Sequence, residues 1–224
     1  MKWVSTAIRF ALFPVAILWP AGDWTWWEGW ALVGVWITYA IGALLYLQRH
    51  DPELLAERMK ASPAQADQKG WDKALMIPMT IAGIGLLLVP GFDVVRFGWS
   101  TPLPLVYELV ALAIHVPAML LIAWVMKTNT YAARVVKIDE ERGHSLVDTG
   151  PYAIVRHPMY TAVVVMLLAT PIALGSRWGL VPAGVMVVLL LIRTHFEDRT
   201  LFEELEGYPQ YAARTRFRIV PGIW

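Results

Sequence analysis

The sequence predicts an all-α fold, a polytopic bundle of membrane helices forming a single domain over residues 1–224. Three observations predict it. Hydrophobic residues make up 57% of the 224 positions and charged residues 17%, whereas soluble domains run about 45–50% apolar. The apolar residues gather into windows near the about 17–25 residues that a spanning helix requires, at 3–21, 27–47, 74–95, 104–126, 158–174 and 178–194. The charges, finally, fall between these windows far more than within them. The last two windows are short and joined by Leu174-Gly175-Ser176-Arg177. Five full spans plus a hairpin reaching part-way therefore stand beside six as the expected count, five to six helices in all.

Taken in order, Lys2 and Arg9 precede the first apolar stretch, as in a signal peptide. No small-x-small cleavage site follows, and Trp24, Trp26, Trp27 and Trp30 come next as an interfacial belt, so this stretch reads as a retained first helix. After the second window, Asp51-Pro52-Glu53-Leu54-Leu55-Ala56-Glu57-Arg58 predicts a short amphipathic interfacial helix with Pro52 near its start. Between the fourth and fifth windows, Val135 to Ile138 and Ser145 to Val147 are short candidates for extended chain. Gly150-Pro151 marks a turn, and Pro158 suits the first position of a helix while biasing His157 away from the α region. Arg156 and His157 are thus expected beside the free N–H groups at a helix N-terminus, a place for an anionic or dipolar ligand or for a plain interfacial turn with a snorkelling arginine. The last helix is expected to leave the membrane after Arg193 and run to about Leu205, where Gly207-Tyr208-Pro209 ends it. A short helix then runs through Tyr211 to Arg214, and Ile219-Val220-Pro221 closes the chain.

Of the 19 Lys and Arg residues, only Arg96 and Arg177 lie on one side of this division. By the positive-inside rule the other side is cytoplasmic, and both termini are expected there, in the inner membrane of a prokaryote.

With no cysteine there is no disulfide, thiolate metal site or cysteine nucleophile. There is no HExxH, Gly-x-Ser-x-Gly or Walker A pattern, and Gly83 and Gly85 do not complete a dinucleotide fingerprint. The five histidines lack metal-site spacing. No metal and no nucleic-acid partner is expected. Glu108 and His115, seven residues apart in the fourth window, share nearly one face and read first as a helix contact. Arg193 and Glu197 form an i, i+4 pair where an apolar helix becomes polar, and Asp198 projects to an adjacent face. Charges at that depth are costly unless used.

Asn129 to Tyr131, Asp148-Thr149-Gly150-Pro151-Tyr152, Arg156-His157-Pro158-Met159-Tyr160, Glu197-Asp198, Gly207-Tyr208, Tyr211 and Arg218 to Trp224 together resemble the isoprenylcysteine carboxyl methyltransferase family of integral membrane methyltransferases. The likeness covers roughly the last hundred residues. It implies variable membrane helices over 1–126 and a cofactor-binding and catalytic part over 127–224, with a cytoplasmic pocket built by the late loop and the C-terminal tail. The implied cofactor is S-adenosylmethionine, held by Tyr152, Arg156, His157, Tyr160 and Glu197, with Arg193 and Asp198 as catalytic residues. Asp198 departs from the family's usual second Glu by one methylene. The implied acceptor is a lipophilic small molecule or lipidated group, with membrane lipid as the surrounding partner. O-methylation of an isoprenylcysteine-like carboxylate is the main expectation. N-methylation of a phospholipid amine or S-methylation of a thiol are the alternatives. Non-catalytic readings as a lipid-binding scaffold, and a nicotinamide-dependent membrane reductase, stand further off.

Overall fold

The sequence folds where apolar runs meet specific stop and start signals. The computed structural model describes residues 2–59, 68–132 and 145–224, with side chains from residue 11 onward. Its helices are α1 (Lys2–Ala21), α2 (Trp27–His50), α3 (Pro52–Arg58), α4 (Gly70–Pro90), α5 (Leu105–Thr128), α6 (Pro158–Ala173), α7 (Leu180–Glu204) and α8 (Tyr208–Arg214). A wider π-helical turn, Gly91–Arg96, continues α4, and a 3₁₀ turn, Gly150–Ala153, precedes α6. Asp51 caps α3 by accepting the Leu54 N–H at 2.9 Å, with Pro52 in the first turn. Pro158 likewise opens α6, with His157 outside the helical region at φ −126°. The expected start signals are therefore in place.

Among the described residues, four helices are long and apolar enough to cross a bilayer: α2, α4 with its π-helical extension, α5 and α7. Ala11–Ala21, the part of α1 whose side chains are described, and all of α6 are shorter. Four long apolar helices are thus shown out of the five to six membrane helices expected. The part-way hairpin is corrected, because α7 has 25 residues while α6 has only 16. The polar residues after Arg193 continue the same helix, so its length exceeds its apolar window. Ser145 to Val147 forms no strand. Val135 to Ile138 lies outside the described residues.

α6 sits centrally, packing on α5 and α7, while α4 packs on α7 and α2 on α5. Leu47, Leu54, Met119, Met126 and Met166 join α2, α3, α5 and α6 in one apolar cluster. Met79, Leu86, Leu167, Ala183 and Leu190 join α4, α6 and α7 in another. Outward, Ile77, Ile81, Leu120 and Val188 are exposed. Apolar surface on this scale is stable against lipid and not against water, and the chain is an integral membrane protein. His115 Nδ1 donates to Ala111 O (2.9 Å), and its Nε2 lies 3.2 Å from Thr170 Oγ1, which ties α5 to α6.

The helix termini separate into two ends. At one, Gly91 passes so close to α1 that a Cβ there would lie 2.7 Å from the Ala21 nitrogen. Asp93 beside it bonds Ser100 and Ser176, drawing together the α4–α5 and α6–α7 connections. The other end holds α3, the start of α4, the Arg156–His157 loop, the charged end of α7 and the tail.

Candidate active site

At this second end the loop before α6 and the charged stretch of α7 meet. Gly150, at φ +59°, makes the turn that starts the loop, and a Cβ there would come within 3.0 Å of Thr128 Oγ1. The loop is then fixed from outside by the tail. The Arg156 N–H donates to Phe217 O (2.9 Å) and the His157 N–H to Arg218 O (2.8 Å), while Thr161 Oγ1 donates to Ile219 O (2.7 Å). Backbone groups that α6 leaves unsatisfied at its N-terminal approach are thereby paired within the protein.

A cavity of about 570 Å³ opens here. Tyr152, Arg156, His157, Tyr160, Arg193 and Glu197 all line it, with Met76, Met79 and Met186 on its apolar side. Six of the seven residues singled out in the sequence are thus brought together. Tyr160 donates a short hydrogen bond to Glu197, and its ring lies 5.8 Å from the His157 ring at an interplanar angle of 10°. The Arg193 guanidinium stands 5.7 Å from the centre of the same Tyr160 ring. Asn129 donates to the Tyr152 hydroxyl (2.8 Å), and Tyr211 donates to the Tyr152 carbonyl (2.8 Å).

Asp198 is placed differently. It is buried but is not among the residues lining the cavity. Tyr208 donates to Oδ1 (2.7 Å), Arg218 Nε donates to Oδ2 (2.9 Å), and His157 Nε2 lies 3.2 Å from Oδ1. Arg156 Nε is also 3.2 Å from Oδ1, near enough for ionic attraction but not aligned as a hydrogen bond. One carboxylate therefore ties α8, the tail and the His157 loop to α7. Five positions beyond Arg193, it points to another helix face, and that is the physical reason it leaves the cavity wall.

Sequence reasoning missed the partner of Arg193. Beside the Glu197 charge, Arg193 makes a fork onto Asp72 of α4, with Nε at 2.7 Å from Oδ1 and Nη2 at 3.4 Å from Oδ2. Asp72 is fully buried and also accepts from Gln68 Nε2 at 2.8 Å. The available signal was a lone carboxylate, Trp71-Asp72-Lys73, at the mouth of an apolar helix; its partner lies 121 residues away.

Burial pushes the Tyr152 phenol up to about 12. Burial first, and the Asp198 carboxylate second, hold the Tyr208 phenol well above its usual value. Tyr211 is raised mainly by burial. All three remain protonated donors at physiological pH.

The volume lies within the about 300–1,000 Å³ typical of small-molecule sites. Its aromatic faces and one carboxylate suit a cofactor that carries a flat base and a positive charge. Fold and cavity define a helical membrane protein with a cavity of small-molecule size at one end of the bundle. Residues 106–205 match the family model described as phospholipid methyltransferase, from the first turn of α5 to just past the end of α7. No curated protein sequence matches the chain significantly. The protein is an S-adenosylmethionine-dependent membrane methyltransferase, and the matched region, less than half of the chain, is similar to the phospholipid methyltransferases. The match supports the resemblance in its coarser form, a membrane methyltransferase, and does not single out isoprenylcysteine methylation. It also starts earlier in the chain than the likeness read from the motifs, and it stops before the tail. No cluster of His, Cys, Asp and Glu that could hold a metal occurs among the described residues.

Proposed function

We propose that this protein methylates the amine of a phospholipid headgroup at the cytoplasmic face of the membrane. One observation carries the choice of acceptor. Arg193, the cation that would have held an acceptor carboxylate, is forked onto buried Asp72, while Glu197 is the carboxylate among the described residues lining the cavity. An ammonium is attracted to Glu197, while Arg58 and Arg156, which also line the cavity, suit the phosphate of the same headgroup. The family match points the same way, because its description names phospholipids. The clustering of Arg and Lys at this end supports the cytoplasmic assignment, for both termini as well.

Tyr152, Arg156, His157 and Tyr160 are the residues we assign to the cofactor. Bound S-adenosylmethionine supplies a methyl group activated by a sulfonium: as the amine lone pair forms the N–C bond, the C–S bond breaks and leaves its pair on sulfur. Glu197 draws in the headgroup ammonium and accepts the proton it must lose before it can attack. The sequence resemblance gave Glu197 to the amino-acid end of the cofactor, and the variant below separates the two roles. Tyr160, donating to Glu197, fixes that carboxylate, and its ring supports Arg193. Asp198 is a positioning residue: by holding His157, Tyr208 and Arg218 it sets one wall of the cavity. Catalysis here is largely the placing of two reactants in line.

The test uses purified enzyme in lipid nanodiscs containing phosphatidylethanolamine and cofactor labelled in its methyl group. Label is expected in lipid and stable to base, as for an N-methyl group. Glu197→Gln is expected to lower turnover by about 100-fold or more, with the calorimetric binding of S-adenosylhomocysteine little changed. Base-labile label in a lipidic acid would restore carboxyl O-methylation. Loss of cofactor-product binding in Glu197→Gln would return that residue to the cofactor.

A further inference from the structure

A second cavity, of about 430 Å³, lies deeper in the bundle between α2, α5 and α6, with Leu55 and Met59 of α3 at one end. Its lining is overwhelmingly apolar. Arg58 and Val163 line this cavity and the candidate active site alike, so the two abut. Two features set it apart from a packing defect. The indole Nε1 of Trp36 and the phenol oxygen of Tyr39 are buried and find no hydrogen-bond partner among the described residues, and both side chains line the cavity. Protein interiors leave few polar groups in that state. A group with acceptor oxygens inside an otherwise apolar chamber would satisfy both.

We propose that this cavity takes one acyl chain of the phospholipid acceptor, with Trp36 and Tyr39 donating to its ester carbonyl and Arg58 holding the phosphate at the junction. The identity of the acceptor rests on the amine reading above. In this placement the hydrocarbon lies against apolar lining residues such as Leu32, Leu87 and Leu167, the ester meets Trp36 and Tyr39, the phosphate meets Arg58, and the amine meets Glu197. Arg58 Nη1 donates to Ala132 O at 2.7 Å, which holds the guanidinium at the boundary, and a guanidinium carries five donors suited to phosphate. α3 is thus part of the acceptor site and not merely an interfacial strut.

The experiment compares turnover of dioleoyl- and dihexanoyl-phosphatidylethanolamine by the full-length enzyme, and retention of the dioleoyl lipid by native mass spectrometry. Ala43→Trp, which fills the chamber from α2, is expected to lower the long-to-short turnover ratio by about tenfold or more and to abolish lipid retention. Tyr39→Phe, a change too small to prevent folding, is expected to move both readouts the same way but less. Binding of S-adenosylhomocysteine by calorimetry confirms that each variant is folded. An unchanged ratio in both variants, or a lipid that Ala43→Trp retains as the wild type does, overturns the proposal. If wild-type enzyme methylates no phosphatidylethanolamine, the amine reading falls, and retention alone then decides for or against the acyl site.

Discussion

The two ends of the bundle solve the same problem with different chemistry. At one end, Asp93 is fully buried within the π-helical turn. Its carboxylate accepts from the Ser100 N–H (2.8 Å), Ser100 Oγ (2.7 Å), Ser176 Oγ (2.6 Å) and the Trp178 N–H (3.3 Å). Each of these donors is neutral and comes from a connection between helices. At the other end, Asp72 and Asp198 are equally buried, but they meet Arg193, Arg156 and His157, whose side chains also line a cavity. A carboxylate ringed by neutral donors closes a joint. A carboxylate that holds cations beside an open chamber sets the charge that chamber presents to a ligand.

The strongest way to break this contrast is Asp72→Ala. Removing one partner from a buried ion pair costs about 3–5 kcal/mol. With Arg193 left uncompensated in the wall, methyl transfer is expected to fall below detection while some folded protein persists, as read by thermal unfolding in detergent and by label incorporation. Activity near the wild-type level would show that Arg193 needs no fixed counter-charge. Asp93→Ala comes next. The Ser and backbone donors it orphans predict a loss of about 3 kcal/mol, but binding of S-adenosylhomocysteine by the folded fraction should match the wild type. A weakened cofactor-product affinity would mean that the two ends are coupled. Tyr208→Phe is the mildest. It removes one of several donors to Asp198, at about 1 kcal/mol, and is expected to lower kcat by a few-fold without moving KM for the acceptor.

Much of the frame was written locally and could be read. Pro52 and Pro158 open helices where the proline rule puts them, and Gly150 and Gly207 take the positive φ that their turns require. The convergence of Tyr152, His157, Tyr160, Arg193 and Glu197 was accessible through motif likeness. The continuation of α7 past Arg193 was legible as well, ending at Glu204 where about Leu205 was expected, with Thr194, Asp198 and Thr200 buried along it. Asp72 and Arg58 were out of reach. Asp72 meets Arg193 121 residues further on and Arg58 meets the Ala132 carbonyl 74 residues further on, and no local pattern records such partners. Asp198 shows the converse: a residue noticed for its type turned out to face a different set of neighbours from the one its sequence position suggested.

The brevity of α6 reaches beyond the bundle. Sixteen residues rise about 24 Å, less than the about 30 Å of a bilayer's hydrocarbon. With its Ala173 end level with the opposite headgroups, the His157 end stops short of its own headgroup layer unless the leaflet dips towards it. A soluble donor must descend below the water boundary to meet an acceptor that never leaves its layer, and thicker membranes should slow the enzyme by lengthening that descent.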